Sequence, residues 1–227
     1  MSALYIVATP IGNLDDITIR ALQILRGVDL ILCEDTRQTR KLLERYNIKT
    51  SVLSYHQHSK LSKVEYIIQL LREGKNLALV SDAGTPGISD PGNKLIAEIT
   101  GVQPRQIIPI PGPSALTAAA SISGFPMDRF IFLGFPPVKN KRKKFFEEVL
   151  NSKYPVIFYE SPHRILKTLK ELSSYTYTKE LSSLELVVCR ELTKKFETIH
   201  SGTIGEVLGQ LQKDEIRGEF VVIARKR

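Results

Sequence analysis

The stretch Asn76–Gly92, NLALVSDAGTPGISDPG, joins a short apolar run to a loop rich in glycine and proline. Its first six residues have the continuous apolar character of a strand that is buried on both faces of a sheet. The loop that follows holds five glycines and prolines between Asp82 and Gly92. Such a loop after a buried strand predicts an open α/β sheet that binds a small molecule, largely through main-chain atoms, at its strand ends.

Three further apolar runs in the first half of the chain are also followed by turns or polar residues. They are Leu4–Ala8, Val28–Cys33 and Gln106–Ile110. Helical patterns lie between the runs, at Ile17–Arg26, Ser62–Glu73 and Gly92–Thr100. We expect Asp15 or Asp16 to cap the first of these helices. Strands and helices that alternate in this way predict a mainly parallel sheet.

The second half of the chain has a different order of elements. Strands are predicted at Arg129–Gly134, Pro155–Glu160, Leu184–Arg190, Phe196–Ser201 and Glu219–Ala224, and helices at Arg142–Leu150, Arg164–Ser173 and Thr203–Gln212. The short connection Glu191–Lys195 predicts a hairpin, and therefore a mixed sheet. The sequence thus predicts two α/β domains, residues 1–113 and 114–227.

Composition excludes several classes of protein. The chain has 227 residues, of which 42% are hydrophobic and 25% charged, and this argues against disordered, collagen-like and coiled-coil proteins. No apolar run approaches the ~20 residues that cross a bilayer, and two cysteines cannot build a disulfide framework. Met1–Pro10 lacks the basic start and the cleavage-type end of a signal peptide, so we expect a cytoplasmic protein.

Positive charge is concentrated in the second half of the chain. Residues 1–113 hold 13 basic and 11 acidic side chains, whereas residues 114–227 hold 19 and 13, and the net charge is +8. The run Lys139–Lys144 alone supplies five positive charges. This distribution favours a polyanionic partner, although such a run is also common on solvated surfaces.

Familiar phosphate, metal and nucleophile motifs do not occur in the sequence. It has no G-x-x-x-x-G-K-[ST], no G-x-G-x-x-G after the first strand, no H-E-x-x-H and no G-x-S-x-G. Cys33 and Cys189 are isolated in apolar strands, so we expect no metal and two buried thiols. Polar residues follow strands at Glu34–Arg37 and Tyr159–Arg164, where they either cap helices or belong to a site.

Eight segments in chain order carry a resemblance to a known family. They are LYIVATPIGNLDDITIRAL (4–22), CEDTRQTRKLL (33–43), SDAGTPGISDPG (81–92), PIPGPSAL (109–116), SGFP (123–126), FYESPHR (158–164), RELTKKFE (190–197) and GEFVVI (218–223). With them the sequence resembles the tetrapyrrole methylase superfamily of class III S-adenosylmethionine-dependent methyltransferases. Within it, the sequence is similar to the ribosomal RNA small subunit methyltransferase I family.

The resemblance implies an activity and a donor site. The activity is transfer of a methyl group from S-adenosylmethionine to the ribose 2′-hydroxyl of a cytidine in the decoding region of small-subunit (16S) ribosomal RNA. The resemblance also implies a homodimer and a donor cleft between the two domains. The implied donor contacts are Ile11, Asp82, Ala83, Gly84, Thr85, Ile88, Ser114, Ala115, Tyr159 and Leu192.

The chemistry of transfer requires a proton acceptor, because the acceptor hydroxyl must lose its proton. A positioned base typically adds about 10²–10⁴-fold to such a step. Five candidates stay open: Glu34, Asp35, Glu160, His163 and Lys194. Candidate RNA ligands are Arg37, Lys139, Lys141, Arg142, Lys143, Lys144, Arg164 and Arg190. Tyr55 and Tyr159 are the nearest options for base stacking.

Longer members of the family carry a small helical extension after the last strand. This chain ends at Arg227, so we expect it to lack the extension. If the extension aids RNA binding, Lys139–Lys144 and the tail Arg225–Arg227 are the candidates for holding RNA instead. Two other functions remain open. One is methylation of a tetrapyrrole by an enzyme of the same superfamily, and the other is an RNA-binding factor without catalysis.

Overall fold

Residues 2–56, 59–102, 107–177, 184–213 and 215–226 are described by a computed structural model. The chain divides into two units, Met1–Ser114 and Ala115–Arg227, and each has a five-stranded sheet. The first sheet is entirely parallel and the second is mixed. The fold class predicted from the sequence is therefore confirmed.

The first unit alternates strands and helices along the chain. Its elements are β1 (Leu4–Val7), α1 (Ile19–Gly27), β2 (Leu30–Cys33), α2 (Thr36–Arg45), β3 (Val52–Ser54), α3 (Leu61–Arg72), β4 (Leu77–Leu79), α4 (Asn93–Val102) and β5 (Ile107–Ile110). The strands lie in the order β3-β2-β4-β1-β5. Because all five are parallel, the loops that follow them leave from one edge of the sheet, which we call the carboxyl edge.

Both faces of the first sheet are covered by helices. Successive side chains of β1 point to opposite faces of the sheet, so Leu4 and Val7 belong to separate apolar clusters. One cluster includes α1 and α2, through Leu25 and Leu42, and the other includes α3 and α4. The chain moves outward through α1 and α2 and returns through α3 and α4, so right-handed crossovers place the two pairs on opposite faces. This explains why the strands are continuously apolar.

The second unit begins with a helix and continues with a mixed sheet. Its elements are α5 (Ala115–Ile122), β6 (Ile131–Phe132), α6 (Arg142–Asn151), β7 (Val156–Glu160), α7 (Ile165–Tyr177), β8 (Leu184–Arg190), β9 (Thr198–Thr203), α8 (Ile204–Leu211) and β10 (Phe220–Lys226). The order is β6-β7-β10-β8-β9, with only β6 and β7 parallel to each other. The predicted hairpin is confirmed as β8 and β9.

The core of the second unit lies between its sheet and three helices. Side chains of α6, α7 and α8, among them Phe146, Leu169 and Val207, pack against inward-facing residues of β7, β8 and β10. Helix α5 packs against β10. Each helix therefore contributes one apolar stripe to the burial of the sheet.

Local details differ from the sequence-based expectation at four places, one of which is helix α2, whose range was not among the predicted helices. Thr18, not Asp15 or Asp16, caps α1 by accepting a hydrogen bond from the Ala21 N–H, because the aspartates form a separate 3₁₀ turn. Strand β3 and helix α5 were not predicted. Three residues are too few for β3 to show a period, and the small side chains of α5 blur its amphipathic pattern.

Within the described part of the chain, none of the helices has the length and apolar character that a bilayer crossing requires. Cys33 and Cys189 are free and buried, as expected. Burial raises the pKa of Cys189 to about 11, so this thiol stays protonated at neutral pH.

Candidate functional site

Two loops are locked together at the carboxyl edge of the first sheet, those that follow β1 and β4. The Thr9 N–H donates to the Gly84 carbonyl at 2.9 Å, and the Gly84 N–H donates back to the Thr9 carbonyl at 3.0 Å. The buried Thr9 hydroxyl also donates to the Ser81 carbonyl at 3.1 Å. Because these bonds join main-chain atoms and a buried hydroxyl, the geometry of the two loops depends little on exposed side chains.

The loop that follows β5 joins the same group. The Thr85 hydroxyl donates to the Pro113 carbonyl at 3.1 Å. A Cβ atom on Gly84 would lie 3.3 Å from Ile11 Cγ2 and 3.8 Å from the Pro113 oxygen, and Gly84 has a φ of +81°. Only glycine adopts this conformation without strain. Residues from three loops thus meet at one place, which we call the loop cradle (residues 9–12, 81–85 and 111–114).

An acidic group lies beside the loop cradle. The Asp35 N–H donates to Asp82 Oδ1 at 3.1 Å, which ties the start of α2 to the loop after β4. Asp35 also caps α2 by accepting from the Arg37 N–H at 2.8 Å, as expected from its position. Hydrogen bonds from the Arg37 side chain and N–H lower the pKa of Asp35 to about 2, so its carboxylate is a weak proton acceptor.

Glu34 differs electrostatically from its neighbour Asp35. Burial raises the pKa of Glu34, and the negative charges of Asp82 and Asp35 raise it further, while His56 acts in the opposite direction. The residue is nonetheless exposed at the end of β2, next to the loop cradle. A carboxylate with a raised pKa that remains accessible is suited to accept a proton.

A buried network of charged side chains lies at the end of β7 in the second unit. The Glu160 side chain is fully buried and forms an ion pair with Arg164 at 2.7 Å. Its Oε1 accepts from the Ser161 N–H at 2.7 Å, and its Oε2 accepts from the Thr168 hydroxyl at 2.6 Å. These bonds occupy both carboxylate oxygens. We call Glu160, Ser161, Arg164 and Thr168 the Glu160 network.

Arg142 extends the Glu160 network to the loop between β6 and α6. Its Nη2 donates to the Thr168 hydroxyl at 2.7 Å, its Nε is paired with Glu171, and its Nη1 donates to the Pro137 carbonyl at 3.0 Å. Arg164 donates from Nη1 to the neighbouring Pro136 carbonyl at 3.0 Å. Two arginines anchored by carboxylates therefore hold two successive carbonyls of this loop.

Comparison with known proteins places the chain in a family. Residues 3–208 match the family described as Tetrapyrrole (Corrin/Porphyrin) Methylases. Proteins named "Ribosomal RNA small subunit methyltransferase I" are 45% identical in Bacillus subtilis, over 98% of this chain and 75% of that protein, and 42% identical in Thermotoga maritima, over 98% of both. The chain belongs to the ribosomal RNA small subunit methyltransferase I family of tetrapyrrole methylases.

Solved structures of other tetrapyrrole methylases share the fold of this family member. A cobalt precorrin-4 methyltransferase matches with a TM-score of 0.67 and 22% identity, over 98% of this chain and 94% of its own. A uroporphyrin-III C-methyltransferase from Thermus thermophilus matches with a TM-score of 0.65 and 16% identity, over the same shares of the two chains. At such low identity these likenesses concern the fold alone.

The residues that family resemblance predicts as donor contacts fall into three groups. Those that the structure brings together at the loop cradle are Ile11, Asp82, Ala83, Gly84, Thr85 and Ser114. Ile88 lies farther along the loop after β4, is 39% exposed, and donates its N–H to the Thr85 carbonyl at 3.4 Å. Ala115, Tyr159 and Leu192 belong to the second unit, and their role as donor contacts stays a prediction.

The candidate bases of this family member differ in their burial and in their charged partners, and so in their ability to accept a proton. Lys194 lies in the turn between β8 and β9 and is held by Glu191 at 2.8 Å and Glu219 at 2.9 Å. Burial lowers the pKa of Lys194, but its bonds to these two carboxylates outweigh burial and raise the pKa, so the amine stays protonated. Glu160 is committed to the Glu160 network. Glu34, and the exposed His163, remain accessible.

The candidate RNA ligands also divide between internal and exposed positions. Arg142 and Arg164 hold the loop between β6 and α6. The buried Arg190 donates from Nε to the Arg217 carbonyl at 2.8 Å. These contacts favour structural roles for all three arginines. Arg37 is paired with Asp35, although 86% of its side chain is exposed. The exposed cations of the predicted run are Lys139, Lys141, Lys143 and Lys144. Arg225 is paired with Glu185, and Arg227 lies outside the described residues.

Some positions differ in the structure from what the sequence suggested. Tyr55, an option for base stacking, is 1% exposed and so is unavailable to a base. Thr9 was not singled out, although its main chain joins two loops; a threonine between a buried strand and Pro10 is the signal that could have found it. Phe135 and Val138, exposed by 50% and 69%, were also missed.

Proposed function

We propose that this protein transfers a methyl group from S-adenosylmethionine to the ribose 2′-hydroxyl of a cytidine in small-subunit ribosomal RNA. The observation that carries the proposal is the loop cradle, in which three loops of the parallel sheet meet at Gly84. It occurs in a chain whose relatives, at 41–45% identity, are named for methylation of this RNA. Ligands of open α/β folds bind at this edge of the sheet.

The residues of the loop cradle fit a methyl donor. Glycines at positions 84 and 112 bring main chain close to Ile11 and Ala8, so a ligand can approach peptide groups rather than side chains. Peptide dipoles and the exposed Asp82 suit a donor that carries a positive sulfur and an ammonium group. S-adenosylmethionine supplies the electrophilic methyl group when it is bound.

Glu34 is the proton acceptor in the proposed reaction. The 2′-oxygen bonds to the methyl carbon as the carbon–sulfur bond breaks, and the Glu34 carboxylate takes the hydroxyl proton. The raised pKa of Glu34 and its accessibility support this choice over Asp35, Glu160 and Lys194. S-adenosylhomocysteine would be the leaving group, so the step is balanced without an oxidant.

The assignment is tested by incubating the protein with methyl-labelled donor and small ribosomal subunits that lack the modification. We expect one label per subunit, on the ribose of one cytidine, when the RNA is digested and the modified nucleotide is mapped. Label on a base would refute the proposed chemistry. Transfer to a uroporphyrinogen but not to RNA would establish the tetrapyrrole alternative.

The same proposal includes a homodimer, as the family resemblance implies, that acts in the cytoplasm, as the sequence led us to expect. Light scattering of the purified protein tests the first part, because it gives the mass of the assembly directly. A mass of one chain at working concentration would contradict the homodimer without affecting the proposed reaction.

Replacing Gly84 with alanine is expected to weaken donor binding about tenfold. A left-handed conformation costs a residue with a side chain about 1–2 kcal/mol, and the new methyl group would press on Ile11. The loop is therefore expected to relax away from the conformation that the donor binds, and binding must restore that conformation at this cost. Calorimetric titration with S-adenosylmethionine measures the dissociation constant. Gly27→Ala is the matched control, because its added Cβ meets no atom within 4 Å. An unchanged constant for Gly84→Ala would remove the loop cradle from the donor site.

Absence of any heat with folded wild-type protein would be a different result. It would favour the RNA-binding factor without catalysis over both methyltransferase functions. The calorimetric experiment therefore separates the enzyme from the non-enzyme alternative before any RNA is added.

A further inference from the structure

The segment between β6 and the first turn of α6 exposes large apolar side chains next to positive charge. We call residues 135–144, FPPVKNKRKK, the Phe135 segment. Phe135 is 50% exposed and Val138 is 69% exposed. Single exposed apolar residues are ordinary on protein surfaces. Two of them within four positions, followed directly by a basic run, form a distinct surface.

The main chain of the Phe135 segment is held in place from inside the second unit. Carbonyls of Pro136 and Pro137 each accept a hydrogen bond from an arginine, Arg164 and Arg142, at 3.0 Å. Both arginines belong to the Glu160 network, in which the Glu160 carboxylate is fully buried. The two prolines fix their own φ angles as well. The position of Phe135 is therefore set before any partner arrives.

The Phe135 ring contacts a neighbouring ring and is half-exposed. It packs edge-on against Tyr159, with ring centroids 5.5 Å apart and planes at 61°, and Tyr159 packs in the same way against Phe132 at 5.0 Å. Half of the Phe135 side chain remains open to solvent. A rigid, half-exposed aromatic ring is a suitable stacking surface for a base, since little conformational entropy is lost on contact.

Positive charges surround the start of α6. Lys139, Lys141, Lys143 and Lys144 are exposed, and Lys141 precedes the helix with a φ of +65°. Among the described side chains none caps this helix start, and its first turn carries no acidic residue. The partial positive charge of a helix N-terminus adds to the charges of the lysines. Lys143 lies 4.0 Å from Glu147, an exposed contact with which a phosphate can compete. The combined positive charge at this helix start attracts a polyanion.

We propose that the Phe135 segment binds a single-stranded part of the RNA substrate, with a base stacked on Phe135 and phosphates held by the four lysines. This inference rests on the proposed function and assigns part of its substrate recognition. A second copy of this chain is a poor occupant, because a twofold interface would bring the same lysines together. A single-stranded RNA supplies both the flat apolar face and the negative charge.

The test measures the affinity of the protein for a short, fluorescently labelled single-stranded RNA by anisotropy. Phe135→Ala is expected to weaken binding about tenfold, and Phe135→Tyr, which keeps a ring, is expected to bind as the wild type does. Tyr66→Ala is the matched control, because Tyr66 is 49% exposed on α3 of the first unit. It should leave the affinity unchanged.

Salt dependence separates the role of the ring from that of the charges. Phe135→Ala should keep the wild-type slope of log affinity against log salt, since no charge is removed. Replacing Lys139, Lys141, Lys143 and Lys144 with glutamine should make the slope shallower by about 0.7 for each RNA phosphate that the protein no longer neutralises. A quadruple variant with an unchanged slope would show that the lysines form only a solvated surface.

Two results would overturn the inference. The first is wild-type affinity in Phe135→Ala. The second is an unchanged salt slope in the quadruple lysine variant. If Phe135→Ala binds RNA normally and also changes its oligomeric state, the surface is instead an interface between copies. Either result leaves methylation of ribosomal subunits by the wild type intact, whereas failure of that methylation would refute the proposed function itself.

Discussion

Glu34→Gln is expected to lower the rate of methyl transfer to RNA by about 10²–10⁴-fold, the usual contribution of a positioned base. The amide keeps the size of the side chain but cannot take the proton of the 2′-hydroxyl. Because Glu34 is exposed, the free energy of unfolding should change by less than about 0.5 kcal/mol. Single-turnover transfer of labelled methyl to small ribosomal subunits measures the effect on chemistry.

The pH dependence of transfer gives a second measure of the role of Glu34. Burial and the charges of Asp82 and Asp35 raise its pKa, so the wild-type rate should fall as the pH is lowered through this raised value. The residual rate of Glu34→Gln should lack that fall. Glu65→Gln is a suitable control, since Glu65 is an exposed carboxylate on α3. Full activity of Glu34→Gln would exclude Glu34 as the base and leave His163 as the accessible candidate.

Glu160→Ala is expected to destabilise the protein by about 3 kcal/mol, because removing one partner of a buried ion pair leaves the other uncompensated. Arg164, Thr168 and the Ser161 N–H would all lose their acceptor. The Arg164 side chain is 24% exposed and regains some hydration, so the loss belongs at the lower end of the usual range. Denaturant titration measures the free energy of unfolding.

An exposed ion pair of similar length provides the comparison for Glu160. Arg217 and Glu215 lie 2.8 Å apart with 77% and 65% of their side chains exposed. Glu215→Ala should change the free energy of unfolding by at most about 1 kcal/mol. Removing both partners, in Glu160→Met with Arg164→Met, should recover part of the stability lost in Glu160→Ala. Equal small effects of the two alanine variants would contradict the importance of the Glu160 network.

The local sequence was enough to predict the fold class and the place of the loop cradle. Apolar runs such as Leu4–Ala8 and Asn76–Ser81 alternate with amphipathic stretches, and this pattern reports burial on one or two faces of an element directly. Glycines and prolines next to those runs mark the loops, because their backbone preferences are local. The parallel first sheet and the mixed second sheet followed from the order of these elements.

Which charged side chains can act on a ligand was decided only by the tertiary structure. Glu34 and Asp35 follow a strand, Glu160 ends one, and the three look alike in the sequence. Yet one is accessible, one is paired with Arg37 and one is buried. Part of the difference comes from a group far along the chain, Asp82, which raises the pKa of Glu34. The charged partners of Asp35 and Glu160 are near in sequence, but how far each carboxylate is buried depends on the fold around it.

The arginines and aromatic residues follow the same rule. Arg142 lies within a basic run, but Thr168 and Glu171 turn its guanidinium inward. Tyr55 is buried, whereas Phe135, which no motif marked, is exposed. Backbone propensity and apolar periodicity are properties of neighbouring residues, so the sequence alone determined the elements and their loops. Burial and charge pairing are properties of residues that folding brings together, so only the tertiary structure decided the chemistry of each side chain.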